Sequence, residues 1–158
     1  MIIMGIDPSL QSMGCAVIDY SHDKFSFIAS STIKTKSDTE MYLRIKYISE
    51  KLKSIIKTYK PKIIAMEETF VNSNPSTSLK LGMVRGACYV VASDSNLQIK
   101  EYQPRLVKKS ITGSGSAEKS QVSYMINHIM TSAKPKNLDE SDAIAVAITL
   151  GLMMNLEK

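Results

Sequence analysis

Four carboxylates in this sequence have the type and spacing to do chemistry: Asp7, Glu67, Asp139 and Asp142. Asp7 ends the apolar run MIIMGID, and Glu67 ends a second one, KIIAME. An acid at the end of a buried strand is costly unless something positive meets it. Ligands of open α/β sheets bind outside those strand ends. Asp139 and Asp142 are three residues apart, so at the start of a helix they stand one above the other on one face. Three of them also have a plain structural reading: Asp7 closes a turn, and Asp139 and Asp142 cap a helix and meet its dipole. Brought together without basic partners, four carboxylates would repel, and their pKa values would rise. Divalent cations remove that conflict. Such hard oxygen ligands suit Mg²⁺. Two ions about 3.5–4 Å apart activate a water and stabilise the leaving oxygen in phosphodiester cleavage. His22 and His128 make no zinc pattern.

The elements that must position these acids can be read from the pattern. Pro8 stops the first strand, because proline has no N–H for a ladder. Within that strand Ile2, Met4 and Ile6 share one face and Ile3, Gly5 and Asp7 the other. Both faces avoid water, as expected of a central strand covered on both sides. Residues 14–20 and 25–33 read as two further strands joined by the turn SHDK, giving an antiparallel meander. Residues 39–60 carry apolar positions at helical spacing, and Pro61 ends that helix. Its basic residues read as a solvated face. Residues 62–68 form a buried strand, and the intervening helix makes it a parallel neighbour of the first. Ile63, Ala65 and Glu67 share a face.

Asn74-Pro75 fits a cap followed by a first helical residue, with a helix to about residue 92. Its small residues Gly82, Gly86, Ala87 and Ala92 permit close packing. Residues 97–103 read as a fifth strand, and Pro104 opens a short helix to about Ile111. Ser116 is placed to cap a helix from Glu118 to about Met130, with His128 at a core edge. A last helix spans about 139–154, and Glu140, off the face of Asp139 and Asp142, reads as solvated.

The 158 residues fit one domain, 1–158, large enough to bury a core without staples. The chain has no apolar run of bilayer length and no leader pattern, which predicts a cytoplasmic protein with no membrane partner. Cys15 and Cys88 sit in apolar surroundings and read as buried free thiols. The net charge of +5 is a weak pointer to an anionic partner such as nucleic acid.

Five blocks then stand in order: GIDPS (5–9), MEETF (66–70), SLKLGMVRG (78–86), GSGSAEKSQV (113–122) and DESDAIAVAIT (139–149). On these the chain resembles the RuvC family of Holliday-junction resolvases over nearly its whole length. The resemblance implies a ribonuclease-H-like fold: a mixed five-stranded sheet, three strands in an antiparallel meander plus two parallel strands, flanked by helices. It implies a homodimer and Mg²⁺-dependent nicking of two like strands of a four-way DNA junction. Two ions per site are expected, with Mn²⁺ as a substitute, and a RuvA-RuvB type branch-migration motor as partner. Asp7, Glu67, Asp139 and Asp142 match the family's metal-binding acids. Phe70 matches an aromatic near the opened bases, and Lys108 and Lys119 match basic residues important for DNA contact and cleavage. The chain departs from many relatives at Ser9, where they carry glycine, and at MGCA (13–16), where they have a GYG-like turn.

Read from the residues alone, these side chains keep two readings. Phe70 could stack on an unpaired base or fill the core. Lys119 lies in the first turn of a helix that favours phosphate, while Lys108 lies on the preceding short helix. A solvated lysine is the alternative for both, and it is the reading for Lys109. Two other functions compete. An actin-like ATPase or sugar kinase would need a second domain and a glycine-rich adenosine loop, and neither is present. A junction-binding protein without nuclease activity would have no use for four retained acids.

Overall fold

The structure is a computed structural model and describes residues 1–69 and 74–156. Strands β1 (Ile2–Asp7), β2 (Ser12–Ser21), β3 (Lys24–Lys34), β4 (Ile63–Glu67) and β5 (Gln98–Tyr102) form a sheet in the order β3-β2-β1-β4-β5. The pairs β1–β2 and β2–β3 are antiparallel, and β1–β4 and β4–β5 are parallel. This is the mixed sheet expected from the sequence, with β1 at its centre. The β2–β3 hairpin turns through His22 and Asp23, whose φ values of 50° and 59° are those of a tight two-residue turn that follows the strand twist.

Five helices cover the sheet: α1 (Met41–Tyr59), α2 (Pro75–Asp94), α3 (Pro104–Thr112), α4 (Lys119–Ile129) and α5 (Leu138–Leu156). Helix α1 stops at Lys60, which turns left-handed and donates its N–H to the Ile56 carbonyl. The Asn74 side chain caps α2 by accepting from the N–H groups of Ser76 and Thr77 at 3.0 and 3.4 Å. Ser116 does not cap α4. Glu118 is the cap, and the Gln121 side chain accepts its N–H at 2.8 Å, a reciprocal arrangement a lone serine cannot match. The Ser116 hydroxyl meets Ser114 instead. His128 is exposed, its ring against Tyr124, and is not at a core edge.

Strand parity divides the core in two. Ile3, Ile63 and Ala65 face α3, α4 and α5 in one cluster, with Ile126, Ile144 and Ile148. Met4, Ile6, Ile64 and Met66 face α1 and α2 in the other, with Ile48, Leu52, Val84 and Val91. Cys15 and Cys88 lie in this second cluster as buried free thiols, as expected. Asp7 and Glu67 therefore fall, by the two-residue period, on the side that α5 covers.

Two glycines set how closely α5 can lie. A Cβ on Gly5 would overlap the carbonyl of Ala143, and one on Gly14 would overlap the carbonyl of Asp139. Gly14 is the register partner of Asp7. The first turn of α5 thus lies directly on the strand that flanks Asp7, and any larger residue at 14 would lift it away. Gly82 and Gly86 do not serve close packing among the described residues, none of which stands within 4 Å of where their Cβ atoms would be. Among the described residues no helix is long and apolar enough to cross a membrane.

Candidate active site

Asp7 and Glu67 leave adjacent parallel strands at the same level, one step beyond the paired residues Ile6 and Met66. Asp139 and Asp142 reach them from the start of α5. The capping reading fails for this helix, because Asn137 holds the cap position: its side-chain oxygen accepts the Glu140 N–H at 3.0 Å. Asp139 is left free for another partner and accepts a hydrogen bond from the Ser12 hydroxyl at 2.5 Å.

The pocket is electrostatically short of positive charge. Burial, followed by the nearby charges of Glu67, Asp142 and Asp139, pushes the Asp7 carboxyl from its ordinary 3.8 up to about 7. Burial and Asp142 push Glu67 from 4.5 up to about 7. Asp7 thus senses the other three acids, and Glu67 senses Asp142. They are not free of basic partners, however. Lys119 Nζ makes an ion pair with Asp142 at 2.7 Å, which raises the lysine's own pKa. Lys119 also lowers the pKa of Asp7 and Glu67, and Lys108 that of Glu67. One ammonium in contact and one nearby leave much of the negative charge uncompensated.

Among the described residues no three His, Cys, Asp or Glu side chains are drawn tightly enough to enclose an ion. The Lys119 ammonium occupies Asp142. The donor set is oxygen only, borne on three separate elements. That suits a hydrated Mg²⁺, which keeps several of its own waters, and not a closed protein cage.

Three features around the acids escape a reading of the sequence. Glu140 is buried at 2 % exposure and not solvated. It accepts from Ser30 Oγ at 2.6 Å, from Thr32 Oγ1 at 3.3 Å and from the Lys136 N–H at 3.0 Å. These bonds tie the start of α5 to β3, because a buried carboxylate must find donors. The pair Asn137 and Glu140, spaced as in a capping box, was the available signal. Ser12 carried no signal, since its role depends on a residue 127 positions away. Arg85 donates to the Glu67 carbonyl at 3.3 Å and pairs with Glu101, bracing the end of β4. Phe70 lies outside the described residues.

The family model for "Crossover junction endodeoxyribonuclease RuvC" matches residues 3–150. Proteins of that name from Rickettsia typhi and Rickettsia prowazekii are 44 % and 45 % identical over 150 residues, covering 94 % of this chain and 96 % of theirs. The structure of T. thermophilus RuvC in complex with a Holliday junction substrate superposes with a TM-score of 0.93 at 25 % identity, over 99 % of this chain and 96 % of that one. A yeast mitochondrial Holliday junction resolvase shares the fold, with a TM-score of 0.69 at 14 % identity over 94 % of this chain and 77 % of its own.

Proposed function

The chain belongs to the RuvC family of crossover junction endodeoxyribonucleases, and we propose that it resolves four-way DNA junctions in recombination and repair by paired nicks in two strands of like polarity. The observation that carries this reading is the pair of carboxyls at the ends of β1 and β4, both driven up to about 7 on the side occupied by Asp139 and Asp142. Asp7, Glu67, Asp139 and Asp142 would hold Mg²⁺, two ions per site, with Mn²⁺ as a substitute. The bound ions would supply a water acidic enough to attack at neutral pH and positive charge for the phosphate and the leaving oxygen.

The protein's own groups have distinct tasks. Ser12 orients Asp139. Arg85 fixes the Glu67 main chain. Lys119, which pairs with Asp142 at the start of α4, would meet the scissile phosphate once a cation held Asp142. Lys108, on α3, neutralises charge beside Glu67. Phe70 retains the base-stacking role that the family resemblance suggests.

Two cuts related by the junction's two-fold axis require two sites with the same symmetry. The outer face of α2 is our candidate for the homodimer surface. Leu79, Met83 and Val90 are 69 %, 53 % and 60 % exposed, at helical spacing with the open positions Gly82 and Gly86. Such a stripe is self-complementary, since glycine gaps accept side chains from a second copy. Met83→Asp with Val90→Asp should give a monomer in sedimentation and uncouple the two nicks. A motor of the RuvA-RuvB type is proposed as partner on the family resemblance.

The central test is a mobile synthetic junction labelled on each strand in turn. Mg²⁺ should produce symmetric nicks in one strand pair. An intact junction, under conditions in which a control resolvase cuts it, would overturn the proposal.

A further inference from the structure

Beside the loop that follows Asp7 lies a cleft of about 350 Å³ between that loop, the approach to α1 and the first turns of α2. Ser9, Gln11, Ser37, Thr77, Lys80 and Arg44 face it, and among the described residues no carboxylate lines it. Arg44 is the unusual member. It is 9 % exposed, and no carboxylate lies within ion-pair distance of it among the described residues. Its Nε donates to Thr35 Oγ1 at 2.8 Å, and Nη2 lies at a long 3.5 Å from the Leu10 carbonyl. A guanidinium carries five donors. A buried charge with only neutral partners is costly, and an anion relieves it. An adjoining recess shares Arg44 and Lys80 and is rimmed by Asp38 and Glu40, both exposed to solvent and so screened.

We propose that this cleft is a phosphodiester-binding subsite, in which Arg44 and Lys80 hold the backbone of the strand being cut beside the scissile bond. The inference rests on the junction-cutting reading above. Its location follows from the chain: Asp7 is at one end of the Pro8–Gln11 loop, and the cleft is formed by the loop itself. The planar fork of arginine suits a phosphate, with Ser9, Ser37 and Thr77 hydroxyls as additional donors. By sequence Arg44 is one more solvated base on α1. Its burial is what separates it from the lysines around it.

The test is the salt dependence of junction binding, with Ca²⁺ in place of Mg²⁺ to suppress cutting. Removing one side chain that neutralises a phosphate should reduce the slope of log K against log[salt] by about 0.9, which corresponds to roughly eightfold weaker binding at 0.1 M salt. Arg44→Gln and Lys80→Gln should each do so, and Lys57→Gln, an equal charge change at the opposite end of α1, should do so far less. Lys80 is exposed, so its variant reports on the subsite even if Arg44→Gln lowers the melting temperature. Wild-type slopes in both variants, with a wild-type protein that binds and cuts, would overturn the subsite alone. A wild-type protein that neither binds nor cuts would remove both readings.

Discussion

Replacing Asp7 by Asn should abolish cutting and, in the absence of metal, make the protein more stable. The Asp7 carboxyl is pushed from 3.8 up to about 7 in the folded state, first by burial and then by Glu67, Asp142 and Asp139. A carboxyl whose folded pKa exceeds its unfolded value binds more protons when folded. Ionising it therefore costs stability, beginning near pH 4 and complete above about pH 7. One pKa unit is worth about 1.4 kcal/mol, so the full shift corresponds to roughly 4 kcal/mol. Asp7 is only partly buried, and solvent screening brings the expected figure to about 2 kcal/mol. Asparagine keeps the shape and stays neutral, so its advantage should be near zero at pH 4 and about 2 kcal/mol at pH 8. Urea unfolding of both proteins in EDTA from pH 4 to pH 8 measures the difference. A gap that does not depend on pH, or a variant less stable at pH 8, would show that Asp7 carries no electrostatic strain.

Other perturbations probe the supports of the site. Asp142→Asn should stop nicking while leaving junction binding, because Asn137 and not Asp142 caps α5; retained nicking in a gel assay would count against its assignment. Glu140→Ala should cost about 1–2 kcal/mol in denaturant unfolding, since it leaves partly buried hydroxyl and N–H donors unpaired. Gly14→Ala should cost more than about 3 kcal/mol or displace α5, because the added carbon meets a main-chain carbonyl, and wild-type melting would contradict that packing. Mg²⁺ should raise the wild-type melting temperature above pH 7 but not that of Asp7→Asn.

Alternation was the most dependable guide to the fold. It placed Asp7 and Glu67 on the same side of adjacent strands because the period of a strand is fixed by its geometry. Pro8, Pro61, Asn74-Pro75 and Pro104 marked the ends of β1 and α1 and the starts of α2 and α3 for similarly local reasons. Three of the readings that failed depended on distant partners, and the Ser116 cap failed to a local one. Glu140 looked solvated from its helical position, yet Ser30 and Thr32 of β3 bury it. Asp142 looked unpaired, yet Lys119 folds back from α4 to meet it. Arg44 looked like its exposed lysine neighbours until the loop after β1 covered it. Ser116 was a reasonable cap until the reciprocal Glu118–Gln121 pair displaced it.

The loop from Pro8 to Gln11 adjoins two opposite charge imbalances. Before it are carboxylates that a single lysine contacts, and against it lies a buried guanidinium with only neutral partners among the described residues. Neither relieves the other across the loop. A phosphodiester strand together with divalent cations relieves both, so each should strengthen the other's binding. Linkage requires the two enhancements to be equal, and couplings of this kind are typically about 5- to 150-fold. Calorimetry can measure Ca²⁺ affinity with and without saturating junction DNA, and anisotropy can measure junction affinity with and without saturating Ca²⁺. The two ratios should agree and should shrink towards one in Asp7→Asn. Metal affinity unchanged by DNA would mean that the acids and the DNA backbone do not share a site, and the arrangement around Pro8 would then have no bearing on cutting.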